Sequence, residues 1–417
     1  MPAYAPRIVD AELRELLASA GAVVIEGPKA CGKTMTASQQ AASRVLLDID
    51  QAARQALAVE PALVLEGARP RLLDEWQVAP ELWNQVRRAV DAADQPGQFL
   101  LTGSAVPPDD ASRHTGAGRF GFLRMRPMSL FEAGASSGAV SLRELFAGHV
   151  LAVGDPGLTL QELSALIGRG GWPAQQGRSL QAAGRAARDY LEQVRQVDIS
   201  RVGDRRLDPI RVGALLRALG RHCATEAKLS TLAADTGGAD GALDDRTVTG
   251  YLQALERLMV IEDQPAWAPH LRSRARLRKA PKRHFVDPSL ALAAVGAASA
   301  RLLQDLEWFG QLFESLVIRD LRVLSQPLDG EVFHYRDDYG MEVDAIVQLR
   351  EGRWGAIEIK LGEGQVEQAA ANLKRFSEQI DSERSGAPAF LAVICAKGYG
   401  YRRSDGVLVV PIGALGP

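Results

Sequence analysis

One stretch near the amino terminus decides the expected fold: Gly27-Pro28-Lys29-Ala30-Cys31-Gly32-Lys33-Thr34. Its pattern, G-x-x-x-x-G-K-[ST], is typical of the Walker A loop that wraps the phosphates of a nucleotide. The apolar run 22–25 before the loop predicts a buried strand, and the alanine-rich stretch 35–42 after it predicts a helix. Because backbone N–H groups and a helix amino terminus attract phosphate, the segment predicts a nucleotide site at a strand end.

The side chains of this loop have different predicted roles. We expect Lys33 to reach the β- and γ-phosphates and the hydroxyl of Thr34 to bind Mg²⁺. Cys31 is expected to pack inside the protein. ATP and Mg²⁺ are therefore the predicted ligands of the loop.

Two later apolar runs supply the remaining parts of a nucleotide site. Asp74 and Glu75 follow the run 72–73; Asp74 is expected to hold Mg²⁺ through water, and Glu75 to polarise the attacking water. The run 99–101 leads into Thr102, Gly103 and Ser104. Thr102 and Ser104 are predicted to sense the γ-phosphate or position the water, and the alternative is a plain turn.

Four stretches carry a closer resemblance: Leu-Leu-Asp-Glu-Trp-Gln (72–77), Leu-Thr-Gly-Ser (101–104), Gly-Arg (118–119) and Arg-Pro-Met-Ser-Leu-Phe-Glu (126–132). Together they resemble a bacterial and archaeal family in which an AAA-type ATPase is fused to a C-terminal domain of unknown function with a nuclease-like fold. The resemblance implies an arginine finger or phosphate sensor at Arg119, and an ordinary surface arginine is the alternative. A finger acting in trans would require a homo-oligomer.

Composition fits a globular protein of several domains. The chain has 417 residues, of which 46% are hydrophobic and 24% are charged. Its 49 basic and 51 acidic residues nearly balance, so any contact with nucleic acid needs a local basic patch. The three scattered cysteines, the lack of an export signal and the lack of a long apolar run predict a cytoplasmic protein without a membrane partner.

The chain divides into three predicted parts. Residues 1–155 alternate short strands with helices and are expected to form a doubly wound α/β domain of the AAA-type P-loop kind. Residues 156–295 are expected to be helical and to include a winged helix. Residues 296–417 are expected to form an α/β domain that resembles the restriction-endonuclease fold, with its PD-(D/E)XK motif.

The winged-helix prediction depends on the order of elements in the middle part. Two helical segments, 229–233 and 245–258, precede the apolar run 259–261 and a basic stretch. That stretch, 272–283, contains Arg272, Arg274, Arg276, Arg278, Lys279, Lys282 and Arg283. Alternate arginines on one face of a strand suit contact with DNA phosphates. The alternative is a domain-packing module whose basic edge is merely solvated.

A second group of charged residues marks the C-terminal part. Asp344 is expected to end one strand, and a short hairpin would bring it beside Glu358 and Lys360 on the next strand. Glu314, on a predicted helix, offers a third carboxylate. Such a set can hold Mg²⁺ and activate a water for phosphodiester cleavage, so Asp344, Glu358 and Lys360 are candidate catalytic residues and the three carboxylates candidate metal ligands. An ordinary ion pair is the alternative.

These features favour a Mg²⁺-dependent ATPase coupled to a winged helix and a nuclease-like domain that acts on DNA. The first alternative is a regulatory protein in which ATP sets the conformation, turnover is slow and the C-terminal domain is not catalytic. The second alternative is an ATP-gated defence or toxin-like nuclease. A resemblance in fold does not choose among these activities.

Overall fold

The computed structural model describes residues 4–103, 116–149, 152–199, 208–237, 241–269 and 279–417. Two compact units make up the chain: residues 1–127 with 198–206 and 254–260, and residues 128–197 with 207–253 and 261–417. Within the described ranges, every helix is too short or too polar to cross a membrane. The division into three domains at 155 and 295 stays a prediction.

The sheet of the first unit contains five strands: β1 Ala22–Glu26, β2 Ser43–Leu46, β3 Arg71–Asp74, β4 Phe99–Gly103 and β5 Phe120–Arg124. Their order is β2-β3-β4-β1-β5, and all neighbours are parallel. In this register Asp74 lies beside Thr102, and Glu26 lies beside Gly103. The carboxyl ends of β1, β3 and β4 therefore meet at one edge, as the sequence predicts for a P-loop domain.

Apolar cores cover both faces of this sheet. The helices of the unit are α1 Val9–Ser19, α2 Lys33–Ser38, α3 Gln51–Val59 and α4 Leu82–Ala93, with 3₁₀ turns at Pro61–Leu65 and Trp76–Val78. Val24 and Leu101 pack in one core, whereas Val23 and Leu100 pack in the other. Alternate strand residues thus enter opposite cores, which confirms a sheet covered on both sides.

The predicted helix 35–42 is wrong in its extent, because α2 covers only Lys33–Ser38. The N–H of Ala42 donates to the carbonyl of Pro70 at 2.8 Å, ahead of the entry into β2. Residues 39–42 therefore turn toward the sheet, and the demand of strand pairing outweighs the helical propensity of the alanines.

After β5, the helices up to residue 295 are α5 Leu142–Phe146, α6 Leu160–Arg169, α7 Leu180–Gln193, α8 Pro209–Arg221, α9 Leu229–Gly237, α10 Asp245–Arg257 and α11 Pro288–Val295. A π-helical turn, Val194–Asp198, follows α7, and 3₁₀ turns occupy Pro173–Gln175 and Ser299–Gln304. Isolated antiparallel bridges join Thr225 to Arg283, Ile261 to Phe285 and Gln264 to Lys282.

The second unit contains a seven-stranded sheet in the order β7-β12-β13-β11-β10-β9-β8. Its strands are β7 Ala152–Val153, β8 Gly330–Arg336, β9 Glu342–Leu349, β10 Trp354–Lys360, β11 Phe390–Cys395, β12 Gly400–Arg402 and β13 Leu408–Pro411. Strands β8, β9 and β10 run antiparallel in sequence, and β11 is parallel to β10. A separate two-stranded parallel pair joins β6 Val140–Ser141 to β14 Leu415–Gly416.

Helices pack on this sheet around an aromatic core. They are α12 Leu306–Ser325, α13 Val366–Gln379 and α14 Ser382–Ser385, with 3₁₀ turns at Gln326–Leu328, Glu363–Gln365 and Ile412–Ala414. The rings of Trp267 and Trp354 are 4.9 Å apart, and Phe376 from α13 packs against both. This core fixes the positions of β9 and β10, which carry the C-terminal carboxylates.

Candidate functional site

The Walker A loop, residues 27–34, is called the phosphate-type loop below, and its backbone conformation depends on two glycines. A Cβ on Gly27 would lie only 2.3 Å from the carbonyl oxygen of Met125, so only glycine fits there. Gly32 has φ 108°, a left-handed conformation that side chains strongly disfavour. The close approach and the left-handed turn together give the loop its shape.

Arg7 stabilises this loop, although it belongs to no recognisable sequence motif. Its Nη1 donates to the carbonyl of Cys31 at 2.9 Å, and its Nη2 donates to the carbonyl of Arg126 at 2.8 Å. Arg7 is buried, and so is Cys31, as the packing prediction for that cysteine requires. A lone arginine far from the motif carries no sequence pattern, so only the structure shows this support.

The two lysines of the loop point to different partners. Lys33 is buried, and its Nζ donates to the carbonyls of Gly27 and Pro28, at 2.9 Å each. Lys29 instead pairs with the buried carboxylate of Asp198, with 2.6 Å between Nζ and Oδ1. Because carbonyl oxygens are neutral partners, the ammonium of Lys33 keeps its full charge for an anion in the loop.

Asp74 lies at the centre of a cluster of oxygen atoms at the carboxyl edge of the sheet. The hydroxyl of Thr34 donates to Asp74 Oδ1 at 2.8 Å, and the hydroxyl of Thr102 donates to the same oxygen. Among the described residues, Asp74 forms no ion pair with a lysine or arginine. An uncompensated carboxylate beside a hydroxyl is the hard oxygen donor set that Mg²⁺ prefers, so these residues fit that ion.

Glu75 follows Asp74 in a left-handed backbone conformation with φ 56° and ψ 44°. Such a conformation is uncommon for residues other than glycine and is concentrated at functional sites. The side-chain amide of Gln77 donates to Glu75 Oε2, which ties the carboxylate to the turn Trp76–Val78. Gln77 lies within the matched stretch 72–77, but the sequence assigned it no role. Ser104 lies outside the described residues.

Arg119 lies at the amino-terminal ends of the strands of this sheet, opposite the carboxyl ends where the loop and Asp74 lie. It precedes β5, and its carbonyl accepts from the N–H of Ala22, the first residue of β1. The loop begins five residues later at Gly27, about 16 Å farther along the strand. The side chain of Arg119 pairs with Asp91 on α4. This placement does not fit a phosphate sensor in cis, whereas a finger in trans stays a prediction.

The register of β9 and β10 brings the C-terminal residues together. Asp344 lies near the start of β9, so the expectation that it ends a strand is wrong; antiparallel pairing of Ala345 with Ile357 places it beside Glu358. Lys360 Nζ lies 2.9 Å from Asp344 Oδ2 and 2.6 Å from Glu358 Oε2. The predicted shared face of Glu358 and Lys360 is confirmed.

A second lysine enters the same cluster from outside the sheet. Lys282 Nζ lies 2.6 Å from Glu314 Oε1, on α12, and 3.6 Å from Asp344 Oδ1. Carboxylates and ammonium groups therefore alternate in the carboxylate cluster, which we define as Glu314, Lys282, Asp344, Lys360 and Glu358. In the sequence Lys282 belongs to a basic stretch that suits DNA contact, and no sequence pattern indicates that it faces these carboxylates.

The cluster shifts the pKa values of its members in opposite directions. Burial raises the pKa of Glu358 to about 8, with Asp344 adding to the rise and Lys360 opposing it. Burial also raises the pKa of Glu314 to about 7, against the opposing charge of Lys282. For Asp344 burial acts in the same sense, but Lys282, Lys360 and the Ile359 N–H outweigh it and lower the pKa to about 2.

The donor set of this cluster does not fit a divalent ion as it stands. No group of three or more His, Cys, Asp or Glu side chains within the described parts of the chain is placed to hold a metal. Asp344 Oδ2 also accepts from the N–H of Ile359 at 2.8 Å, and Glu358 Oε1 accepts from Asn372 at 2.7 Å. The carboxylate oxygens of Asp344 and Glu358 thus already have partners within the chain.

The basic stretch is largely outside the described residues, which exclude Arg272, Arg274, Arg276 and Arg278. Its three described members each face a carboxylate of this chain: Lys279 pairs with Asp338, Lys282 with Glu314, and Arg283 with Asp263. These pairs reduce the positive charge that the stretch can offer to DNA. DNA binding through residues 272–283 stays a prediction.

Comparisons with known proteins agree with the first of these two sites. A family model described as an AAA domain matches residues 19–134. Two models described as domains of unknown function, DUF8612 and DUF4143, match residues 160–301 and 309–415. The AAA match covers the loop, Asp74 and Thr102, and supports an ATP-binding, AAA-type P-loop ATPase domain in this part of the chain.

Three proteins are similar to this chain over more than half of its length. Two uncharacterized proteins, from Mycobacterium bovis and Mycobacterium tuberculosis, are each 26% identical over 354 residues, which is 84% of this chain and 72% of theirs. A solved structure, a Walker-type ATPase of Pyrococcus abyssi, has a TM-score of 0.43 and 13% identity, and the match covers 68% of this chain and 94% of that one.

Proposed function

We propose that this protein hydrolyses ATP in the presence of Mg²⁺. The observation that carries the proposal is the meeting of Thr34, Asp74 and Thr102 at the carboxyl edge of the sheet, directly beside the phosphate-type loop. The AAA domain match over residues 19–134 supports the same assignment. Bound Mg²⁺ would neutralise charge on the β- and γ-phosphates.

Each residue of the site has a distinct role in this proposal. Lys33 would leave the loop carbonyls and pair with the phosphates, while Thr34 and Asp74 hold the ion. Glu75 would orient and polarise the attacking water, in an orientation that its bond to Gln77 maintains. Thr102 couples β4 to Asp74 and is suited to respond to the γ-phosphate, a role that we extend to Ser104.

Substitution of Lys33 tests this proposal most directly. In Lys33→Ala the loop loses the cation that pairs with the phosphates, so we expect ATP affinity to fall by about a hundredfold or more. A fluorescent ATP analogue titrated into the full chain measures the affinity. Lys397→Ala, which removes an exposed lysine of the second unit, serves as the control and should bind as tightly as the unmodified chain.

Two outcomes of the Lys33→Ala titration would contradict the proposal. If Lys33→Ala remains folded by circular dichroism and binds ATP with unchanged affinity, the loop is not the nucleotide site. If both substitutions weaken binding equally, charge in general rather than the loop controls affinity. Either outcome would overturn the assignment.

We further propose a nuclease-like fold for the C-terminal part. The order α12-β8-β9-β10-α13-β11, with Asp344 and Glu358 on adjacent strands, supports it. The lysine-bridged carboxylates favour an alternative in which this domain is not catalytic. The regulatory alternative, in which ATP sets the conformation and turnover is slow, includes such a domain. Phosphate release with and without DNA, and Mg²⁺-dependent nicking of plasmid DNA, separate an ATPase motor, a switch and a nuclease.

A winged helix in the middle part is also a proposal. The order α8, α9, α10, followed by two extended segments that bridge Ile261 to Phe285 and Gln264 to Lys282, supports it. In such a module a wing is expected between the bridged residues, and residues 270–278 of that segment lie outside the described residues. Its arginines are the candidate DNA contacts, and a steep salt dependence of DNA affinity is the expected signature.

A further inference from the structure

Lys282 is fixed in the carboxylate cluster by its backbone as well as by its side chain. Its N–H donates to the carbonyl of Gln264 at 3.0 Å, and its carbonyl accepts from the N–H of Gln264 at 2.9 Å. The side-chain amide of Gln264 then donates to the carbonyls of Phe333 and Asp344. Because Gln264 binds both the lysine backbone and the strand that carries Asp344, the position of Lys282 is set by the fold.

The lysine is also removed from solvent. Lys282 is only 8% exposed. Burial by itself would lower the pKa of its ammonium group, but the charges of Glu314 and Asp344 outweigh burial and raise the pKa above its usual value. Glu314 and Asp344 therefore stabilise the charged form of the Lys282 side chain in this buried position. A buried ammonium with two carboxylates is a stable ion-paired arrangement only while all partners are present.

Formal charge shows what Lys282 replaces. A metal ligand has to be deprotonated, so a bound ion would displace the protons that the raised pKa values of Glu314 and Glu358 favour. In that state Glu314, Asp344 and Glu358 contribute three negative charges, and Lys360 compensates one of them. The remaining two negative charges would match one divalent cation. With Lys282 in place only one remains, and an added Mg²⁺ would leave the buried cluster with a net positive charge, which a low-dielectric environment opposes.

We infer that Lys282 occupies the cation position of the carboxylate cluster, so that the chain binds no divalent ion there while Lys282 is docked. The ammonium lies between Glu314 and Asp344, two of the three carboxylates that are candidate ligands for a metal ion. Lys282 thereby supplies the site with a cation from the chain itself. Removal of this one charge should convert the cluster into a metal site.

Titration of Mn²⁺ into the nucleotide-free full chain tests this inference. The unmodified chain should show no Mn²⁺ binding that depends on Asp344, judged by comparison with Asp344→Asn in electron paramagnetic resonance titrations. Lys282→Met should create one such site, and its affinity for Mn²⁺ should be about tenfold or more above that of Asp344→Asn. Adding Asp344→Asn to Lys282→Met should abolish the new site.

Two matched variants separate the effect of the cation from that of any lysine in this segment. Lys282→Arg keeps the charge and should bind no Mn²⁺ at the cluster. Lys279→Met removes a neighbouring lysine that pairs with the exposed Asp338, and it should behave like the unmodified chain. A new site in Lys279→Met would show that loss of any nearby charge is sufficient, which contradicts the inference.

Other outcomes would also overturn it. Asp344-dependent Mn²⁺ binding by the unmodified chain, at the affinity of Lys282→Met, would show that Lys282 does not exclude the ion. A folded Lys282→Met that gains no site would show that the carboxylates cannot hold a metal at all. If Lys282→Met does not fold, Lys282→Gln replaces it, and the titration of the unmodified chain against Asp344→Asn still decides whether the cluster takes a metal.

Discussion

The loop site and the carboxylate cluster use the same residue types in opposite ways. At the loop, Asp74 accepts hydrogen bonds from two neutral hydroxyls, and Lys33 donates to neutral carbonyls. In the carboxylate cluster, Asp344 faces two lysines, one at each carboxylate oxygen. Although Lys29 of the loop pairs with Asp198, Lys33 and Asp74 form no ion pair among the described residues, whereas the charges of the carboxylate cluster pair with each other.

This difference separates a site whose charges are available to a ligand from one whose charges are neutralised by each other. Charges held by neutral groups keep most of their interaction energy for a nucleotide or a metal ion. Charges that pair with each other contribute to folding and have to be separated before a ligand can bind. The presence of Asp, Glu and Lys in a motif therefore does not by itself indicate catalysis.

The largest expected effect contrasts one lysine from each site. Lys360→Met leaves the buried Glu358 without its lysine and the largely buried Asp344 with only Lys282, so we expect the free energy of unfolding to fall by about 3 kcal/mol. Lys33→Met removes only hydrogen bonds to carbonyls, and a loss of about 1 kcal/mol or less is expected. Chemical denaturation of the full chain measures both. Equal losses would contradict the contrast between the two sites.

The second prediction concerns turnover at the loop site. Glu75→Gln keeps the shape of the side chain but cannot polarise water as a carboxylate does, so turnover should fall by about a hundredfold while ATP stays bound. Phosphate release and nucleotide binding, measured on the same sample, check it. Glu81→Gln, at an exposed position of the same unit, should release phosphate at the normal rate. Undiminished turnover in Glu75→Gln would remove Glu75 from the mechanism.

The smallest expected effect on stability concerns Arg119. Its ion pair with Asp91 is partly exposed, so Arg119→Ala should change the free energy of unfolding by only about 0.5 kcal/mol or less. If Arg119 acts as a finger in trans, turnover should fall in Arg119→Ala and recover partly on mixing with Glu75→Gln. Loss of turnover without recovery in the mixture would contradict action in trans.

Much of the nucleotide site follows from short segments of sequence. The spacing of the glycines and Lys33 in the loop, and the position of Asp74 and Thr102 after apolar runs, predict which side chains meet at one sheet edge. The structure confirms this meeting because parallel strands in a P-loop sheet present all their carboxyl ends on the same side. The same reasoning was wrong for the length of α2, since strand pairing overrides local helical propensity.

The sequence by itself determined the residue types of both sites, the strand ends that carry Asp74 and Thr102, and the shared face of Glu358 and Lys360. Only the tertiary structure decided that Arg119 lies at the far edge of its sheet and that Lys282 enters the carboxylate cluster. Local periodicity places residues on a face, but it cannot report which distant segment packs there. Charge compensation in a buried site depends on that packing, because an ion pair forms between residues that are remote in sequence and adjacent in the fold.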